Sequence, residues 1–196
     1  MSNYDKMLED ARLRFTGYDM SALARMPGVE DRGAQLATRF FAREVLVDKV
    51  TGQITLDGEK AGFSQGLSIY DWLCDRSPDA VAAGEFCPVG SLPGVFVGGS
   101  GLGIKPQRLA TIIHDDPDAF RRGCEALGGR EVPMGDIGYR LEIFPGLPMC
   151  LKFYFADEEF PPSLTFLWDK NILRFVRYET VYYIAGCLQE RLLGML

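Results

Sequence analysis

The feature that most constrains this chain is a change of period at Ile137. From there apolar residues recur at every second position: Tyr139, Leu141 and Ile143 alternate with Arg140 and Glu142. That is the pattern of a strand with one face in a core and the other in water. Two more apolar runs follow, Met149–Phe155 and Ser163–Trp168. Gly146–Leu147–Pro148 supplies the turn between the first two runs. The acidic triplet Asp157–Glu158–Glu159, followed by Phe160–Pro161–Pro162, supplies the next connection. Glycine and proline terminate strands for opposite reasons, one by conformational freedom and the other by a fixed φ and a missing donor. Three consecutive antiparallel strands are therefore expected across residues 138–168.

Before this unit the period is mostly helical. Tyr4, Met7, Leu8, Ala11, Phe15 and Tyr18 fall on one face, with Ser2 able to cap the helix and Asp5 three residues on. A shorter helical turn from Met20 to Met26 stops at Pro27–Gly28. Residues 39–48 read as a strand with Phe41, Val45 and Val47 on one face. Thr51–Gly52 makes a turn, and Ile54 and Leu56 mark a return strand. Helical spacing resumes through Phe63, Leu67, Tyr70, Leu73 and Cys74. Residues 76–104 are rich in Gly and Pro, with short apolar pieces such as Val95–Phe96–Val97. Pro106 opens another helix, and Asp116–Pro117 reads as a cap plus a first-turn proline for the next, which ends at Gly128–Gly129. Val181, Ile184, Ala185, Leu188 and Leu192 give the apolar stripe of a last helix, 178–193. The expected fold is α+β in a single domain over 1–196: one mainly antiparallel sheet, helices packed on one face, and the C-terminal helix in the core. Residues 1–28 are its N-terminal helical segment and 133–196 its strands plus final helix.

Charge narrows the classes of partner. Lys plus Arg number 21 against 27 Asp plus Glu, for a net charge of −6 and a pI near 4.9. General affinity for nucleic acid or an anionic membrane is not expected. No window holds enough uninterrupted apolar residues for a membrane span, and the first residues lack the layout of a signal peptide. The expectation is a cytoplasmic protein. Its five cysteines, Cys74, Cys87, Cys124, Cys150 and Cys187, form no Cys-x-x-Cys pair, and His114 is the only histidine. A structural zinc site of ordinary spacing is not expected, and reduced, unpaired thiols are.

Gly-Asp-Ile-Gly-Tyr-Arg-Leu-Glu at 135–142, Asp-Glu-Glu-Phe-Pro-Pro-Ser at 157–163 and the closing helix from Tyr178 resemble an uncharacterised family of bacterial proteins common among anaerobes. The likeness is strong over 133–193 and thin before it. Some relatives carry an added cysteine-rich iron–sulfur segment. This chain has none, so the resemblance implies no cluster here, and it supplies no catalytic residues.

The residues that carry chemistry lie mostly inside that region. Asp157, Glu158 and Glu159 stand between two strands, with Asp136 and Asp169 near strand ends. Converging carboxylates bind a divalent ion through oxygen or perform acid–base chemistry through a raised pKa. The plain alternative is a solvated turn whose acids accept backbone N–H groups. The prolines after the triplet would hold it in place. Arg140 and Lys152 sit on adjacent strands, either on a solvated sheet face or in a cleft suited to an anion. Phe153, Tyr154, Phe155, Phe160, Phe166, Trp168, Tyr182 and Tyr183 form either a core or an aromatic-lined pocket. Val97–Gly98–Gly99–Ser100–Gly101–Leu102–Gly103–Ile104–Lys105 is glycine-rich, but lacks a phosphate-loop ending and reads as a flexible loop. His114, beside Asp115 and Asp116, is explained by a helix C-terminus and is also the sole candidate imidazole base. No Gly-x-Ser-x-Gly is present. Two functions are carried forward. One is a small-ligand-binding or accessory protein of anaerobic metabolism, with a pocket near Asp136, Arg140, Asp157, Glu158, Glu159 and Asp169. The other is a metal-assisted hydrolase using those acids. The sequence names no cofactor, and the partner is a small molecule or a protein.

Overall fold

A computed structural model describes residues 2–92 and 106–196. The glycine-rich stretch 97–105 and Val95–Phe96–Val97 lie outside the described residues. The chain opens with α1 (Asn3–Thr16) and α2 (Met20–Ala24). Five strands follow: β1 (Glu30–Arg32), β2 (Gln35–Phe40), β3 (Arg43–Asp48), β4 (Ile54–Leu56) and β5 (Glu59–Lys60). After α3 (Phe63–Cys74) and the short β6 (Phe86–Cys87) come α4 (Pro106–Asp115) and α5 (Pro117–Ala126). The chain closes with β7 (Arg130–Glu131), β8 (Ile137–Phe144), β9 (Leu147–Tyr154), β10 (Ser163–Asp169) and α6 (Tyr178–Leu193). The fold is α+β, as the sequence leads one to expect, but the strands of the described residues form two antiparallel sheets rather than one. The first runs in the order β1-β2-β3-β4-β5 and the second β6-β10-β9-β8-β7.

The expected caps are in place. Ser2 and Asp5 exchange backbone-to-side-chain bonds of 2.8 and 3.1 Å at the start of α1. Asp116 accepts the N–H of Ala119 at 2.8 Å, with Pro117 as the first residue of α5. Residues 138–168 form three consecutive antiparallel strands, Tyr139 facing Leu151 and Leu151 facing Phe166. The inner face of this sheet carries Ile137, Tyr139, Leu141, Met149, Leu151, Phe153 and Trp168, all buried. Phe120 of α5 meets it edge-on at Tyr139, with ring centroids 6.1 Å apart.

The motif at 135–139 has a physical reading. Gly135 has φ +67°, and a Cβ there would stand 2.5 Å from the carbonyl oxygen of Phe153; one on Gly138 would stand 2.5 Å from that of Met134. Both positions bring backbone against backbone, which only glycine permits. Ile137 and Tyr139, the residues between and after, fill the core.

Residues 39–48 are not one strand. Phe41 and Ala42, at φ +47° and +64°, form the turn that joins β2 to β3, a left-handed conformation uncommon outside glycine. The turn is pushed into the protein rather than out of it. Phe41 is fully buried, its N–H bonds the carbonyl of Ile143 at 2.9 Å, and Arg191 of α6 donates to its carbonyl at 2.8 Å. The rings of Phe41, Phe40, Phe144 and Trp72 then follow one another at 4.8–4.9 Å and tie the first sheet to the second and to α3. Burial of these four side chains offsets the cost of the strained turn, at about 1.5–3 kcal/mol for each large apolar group.

α3 is buried on every side from Gly66 to Cys74, because α1 and α6 flank it. The α6 stripe Val181, Ile184, Ala185, Leu188 and Leu192 is wholly buried. Buried apolar side chains from both sheets and from the long helices form one continuous cluster.

Candidate functional site

Strand register decides which of the candidate acids meet. Asp136 immediately precedes β8, and Asp157 follows β9. Because Ile137 pairs with Phe153, both lie at one end of the second sheet. There they line a depression of about 680 Å³ together with Gln107, Tyr154, Phe155, Ala156, Phe160, Pro161 and Ser163. The N–H of Phe155 donates to Asp136 Oδ2 at 2.8 Å. Asp157 Oδ1 accepts the N–H groups of Glu159 and Phe160 at 2.9 and 2.7 Å, and the Asp157 N–H returns to the Phe160 carbonyl at 3.0 Å. Those donors hold the Asp157 carboxyl below the usual carboxylate range, because they stabilise its charged form. Gln107 reaches from α4 to the carbonyl of Pro162 at 3.0 Å and fixes the wall beside the double proline.

The aromatic residues divide. Phe153, Phe166 and Trp168 enter the core, whereas Tyr154, Phe155 and Phe160 remain 45, 37 and 65% exposed around the depression. Phe155 packs edge-on against Phe153 at 5.1 Å, and the ring of His114 approaches it at 5.9 Å. Tyr182 and Tyr183 are half-buried on α6.

The other candidates are elsewhere. Glu158 and Glu159 are exposed and do not line the depression. Arg140 is exposed on the outer face of the sheet, its guanidinium 5.8 Å from the Phe86 ring centroid. Lys152 lies on that face too, with its ammonium 5.3 Å from the Tyr154 ring. Asp169 closes β10 at the far end, roughly 20 Å from Ser163 at strand rise. It is completely buried, and its oxygens accept the N–H groups of Ala83, Gly84 and Asn171 at 2.9, 2.8 and 2.9 Å. Asp169 is thus a clamp on the 76–92 segment, separate from Asp136 and Asp157. Among the described residues no group of three or more His, Cys, Asp or Glu is placed to hold a metal ion. All five cysteines are free and buried.

A second polar constellation escapes the sequence reading. Arg14 of α1 bridges Asp71 at 2.6 Å and Asp75 at 3.0 Å. Arg177 meets Asp75 at 2.8 Å, and Thr180 donates to Asp71. Burial, with Asp75 close by, pushes the Asp71 carboxyl up against the opposing pull of Thr180 and Arg14. The network pins α1, α3 and the start of α6 together. No local pattern signals it: Asp71 sits between Tyr70 and Trp72, and its partners are far away in sequence. Gln107 likewise stands in no pattern that marks a site, and Ser163 closes the 157–163 motif without being singled out as a site residue.

The model of a family described as a domain of unknown function, DUF3786, matches residues 19–191 of the chain. No curated protein and no solved structure matches it.

Proposed function

The chain belongs to the DUF3786 family, and we propose that this member binds a small ligand in the depression between Asp136 and Asp157. The observation that carries the reading is the convergence of two carboxylates, each oriented by main-chain N–H groups, on a concavity that three exposed aromatic rings share. Exposed apolar groups gathered in one place mark binding surfaces. The volume falls in the range of small-molecule sites, about 300–1,000 Å³, and such sites combine apolar walls with a few placed polar groups. The protein works in the cytoplasm, a reading that five free, buried thiols support. Its role is that of a binding or accessory component of anaerobic metabolism, for which the family likeness is the support. A metal-assisted hydrolase draws less support, since Asp136 and Asp157 have no third metal-ligating residue grouped with them among the described residues.

A fragment library screened by amide NMR tests the proposal. Hits should move the signals of Gln107, Asp136, Phe155, Asp157 and Ser163 as a set. Hits that map mainly to another surface would reject the site. Melts with Mg²⁺, Ca²⁺, Mn²⁺ and Zn²⁺ test the hydrolase reading, which predicts a concentration-dependent rise in Tm.

A further inference from the structure

We infer that the ligand of this depression is a small organic cation: an ammonium group, alkylated or primary, carried on a compact apolar body. The inference rests on the ligand-binding reading above and adds its chemical class. Among the described residues the lining holds two aspartates and no Lys, Arg or His. Asp157 is held in its charged form by the donors of its turn. Each carboxylate keeps one oxygen, Asp136 Oδ1 and Asp157 Oδ2, outside the hydrogen bonds formed among the described residues. The aromatic walls speak for the same charge. Faces of Tyr and Phe rings carry negative potential and attract a cation within about 6 Å of the centroid. The protein already uses one of these rings that way, for the Lys152 ammonium stands 5.3 Å from Tyr154. An anionic ligand would meet two negative charges, and the cation that stands beside the described lining, Lys152, is already engaged on the Tyr154 ring. A neutral apolar ligand would leave both carboxylate oxygens facing it without a donor, which costs about 1–3 kcal/mol for each polar group so stranded. A cation with an apolar body satisfies acids and rings together.

The test uses three probes of one shape: choline, 3,3-dimethyl-1-butanol and 3,3-dimethylbutyrate, titrated into the isotope-labelled full chain. Choline should shift the ring signals of Tyr154, Phe155 and Phe160, with a Kd at least about tenfold below that of the alcohol. The acid should bind weakest. Phe160→Ala should weaken choline about 2- to 30-fold, the range of one cation–π contact. Asp136→Asn with Asp157→Asn keeps an oxygen to accept the same N–H groups, so the turn is preserved while the charge is removed. This double variant should weaken choline and narrow its advantage over the alcohol to what the rings alone supply, about 2- to 30-fold; an advantage unchanged from wild type would refute the role of the acids. If the alcohol binds the wild-type depression as tightly as choline, the cation is refuted and the site stands. If no probe moves these rings, the inference is overturned, and the fragment map decides the site separately. A lysine-bearing tripeptide that binds more than about tenfold tighter than choline would also overturn it, in favour of a peptide.

Discussion

Asp169→Asn is the sharpest test of how the acids are divided. In the folded protein this carboxylate is completely buried and accepts three backbone N–H groups. Oδ1 takes those of Ala83 and Asn171, and Oδ2 takes that of Gly84. The asparagine amide has one acceptor oxygen. If that oxygen keeps Ala83 and Asn171, its NH₂ group must face the Gly84 N–H, donor against donor. One charge-assisted bond is then lost, at about 1.5–3 kcal/mol, and a buried donor is stranded. The two remaining bonds also weaken, since their acceptor is no longer ionised. A loss of about 2–4 kcal/mol follows. Asp169→Ala strands all three donors and should cost as much or more. For a chain of this size each kcal/mol moves Tm by about 2–4 °C, so the asparagine variant should melt roughly 5–15 °C lower. Urea unfolding followed by tryptophan fluorescence gives the free energy directly, and Trp168 beside the substitution is a local reporter. The m-value should not change. Amide exchange at Ala83 and Gly84 should speed up more than at the centre of β9. If Asp169→Asn lies within about 0.5 kcal/mol of wild type, the clamp reasoning fails.

Three further outcomes are expected. Leu188→Ala, in the fully buried stripe of α6, should cost about 2–5 kcal/mol in the same urea assay, and a loss under about 0.5 kcal/mol would place the helix outside the core. Burial pushes the Cys74 and Cys187 thiols up to about 12 and Cys150 to about 11, so native protein at pH 8 should leave these cysteines unreacted with a thiol reagent, whereas all five cysteines should react in denaturant; rapid labelling of the native chain would contradict the packing. Asp157 is depressed below its ordinary 3.8 by the N–H groups of Glu159 and Phe160, so the turn's stabilisation is present above the unfolded value and is lost as pH falls through the folded one; the amide shifts of Glu159 and Phe160 should report a midpoint under 3.8, and one at or above it would mean that the turn does not form.

What the sequence disclosed follows from how local each cause is. The α1 cap needs only Ser2 and Asp5, and the β8 pattern only five residues, so both are legible in a short window. The β2–β3 hairpin is not, because its turn is Phe41–Ala42. No propensity rule marks a buried phenylalanine as a turn residue, and its left-handed backbone is held by the Phe40 ring against it and by hydrogen bonds from its N–H to Ile143 and from Arg191 to its carbonyl, none of them legible locally. Merging the end of β2 with β3 left only the β3–β4 hairpin of the first sheet legible and hid its pairing with β2 and β1. Helix α3 showed one apolar stripe, yet it is buried all round. Its Asp71 is admissible there only because Arg14 and Thr180 arrive from other helices, which no single stretch of chain reveals.

The candidate acids show the same limit from another side. In sequence Asp136, Asp157 and Asp169 are equivalent: each is an aspartate at a strand end. Their fates separate by counting donors. Asp169 receives three N–H groups on two oxygens inside the protein, so its bonding capacity is largely spent. Asp136 and Asp157 receive one and two, on a single oxygen each, and stand at a surface depression. Their turns fix the carboxylates without consuming them. A carboxylate that is both oriented and partly unspent is the arrangement that a binding site requires, because the protein has already met the entropic cost of ordering it. The double proline serves the same end: it holds Phe160 beside Asp157 with little residual backbone freedom. The motif that carries the family likeness therefore divides its labour. Its glycines and apolar residues build the strands, and its Asp136 and Asp157, set together by the register of β8 on β9, face the solvent beside aromatic rings.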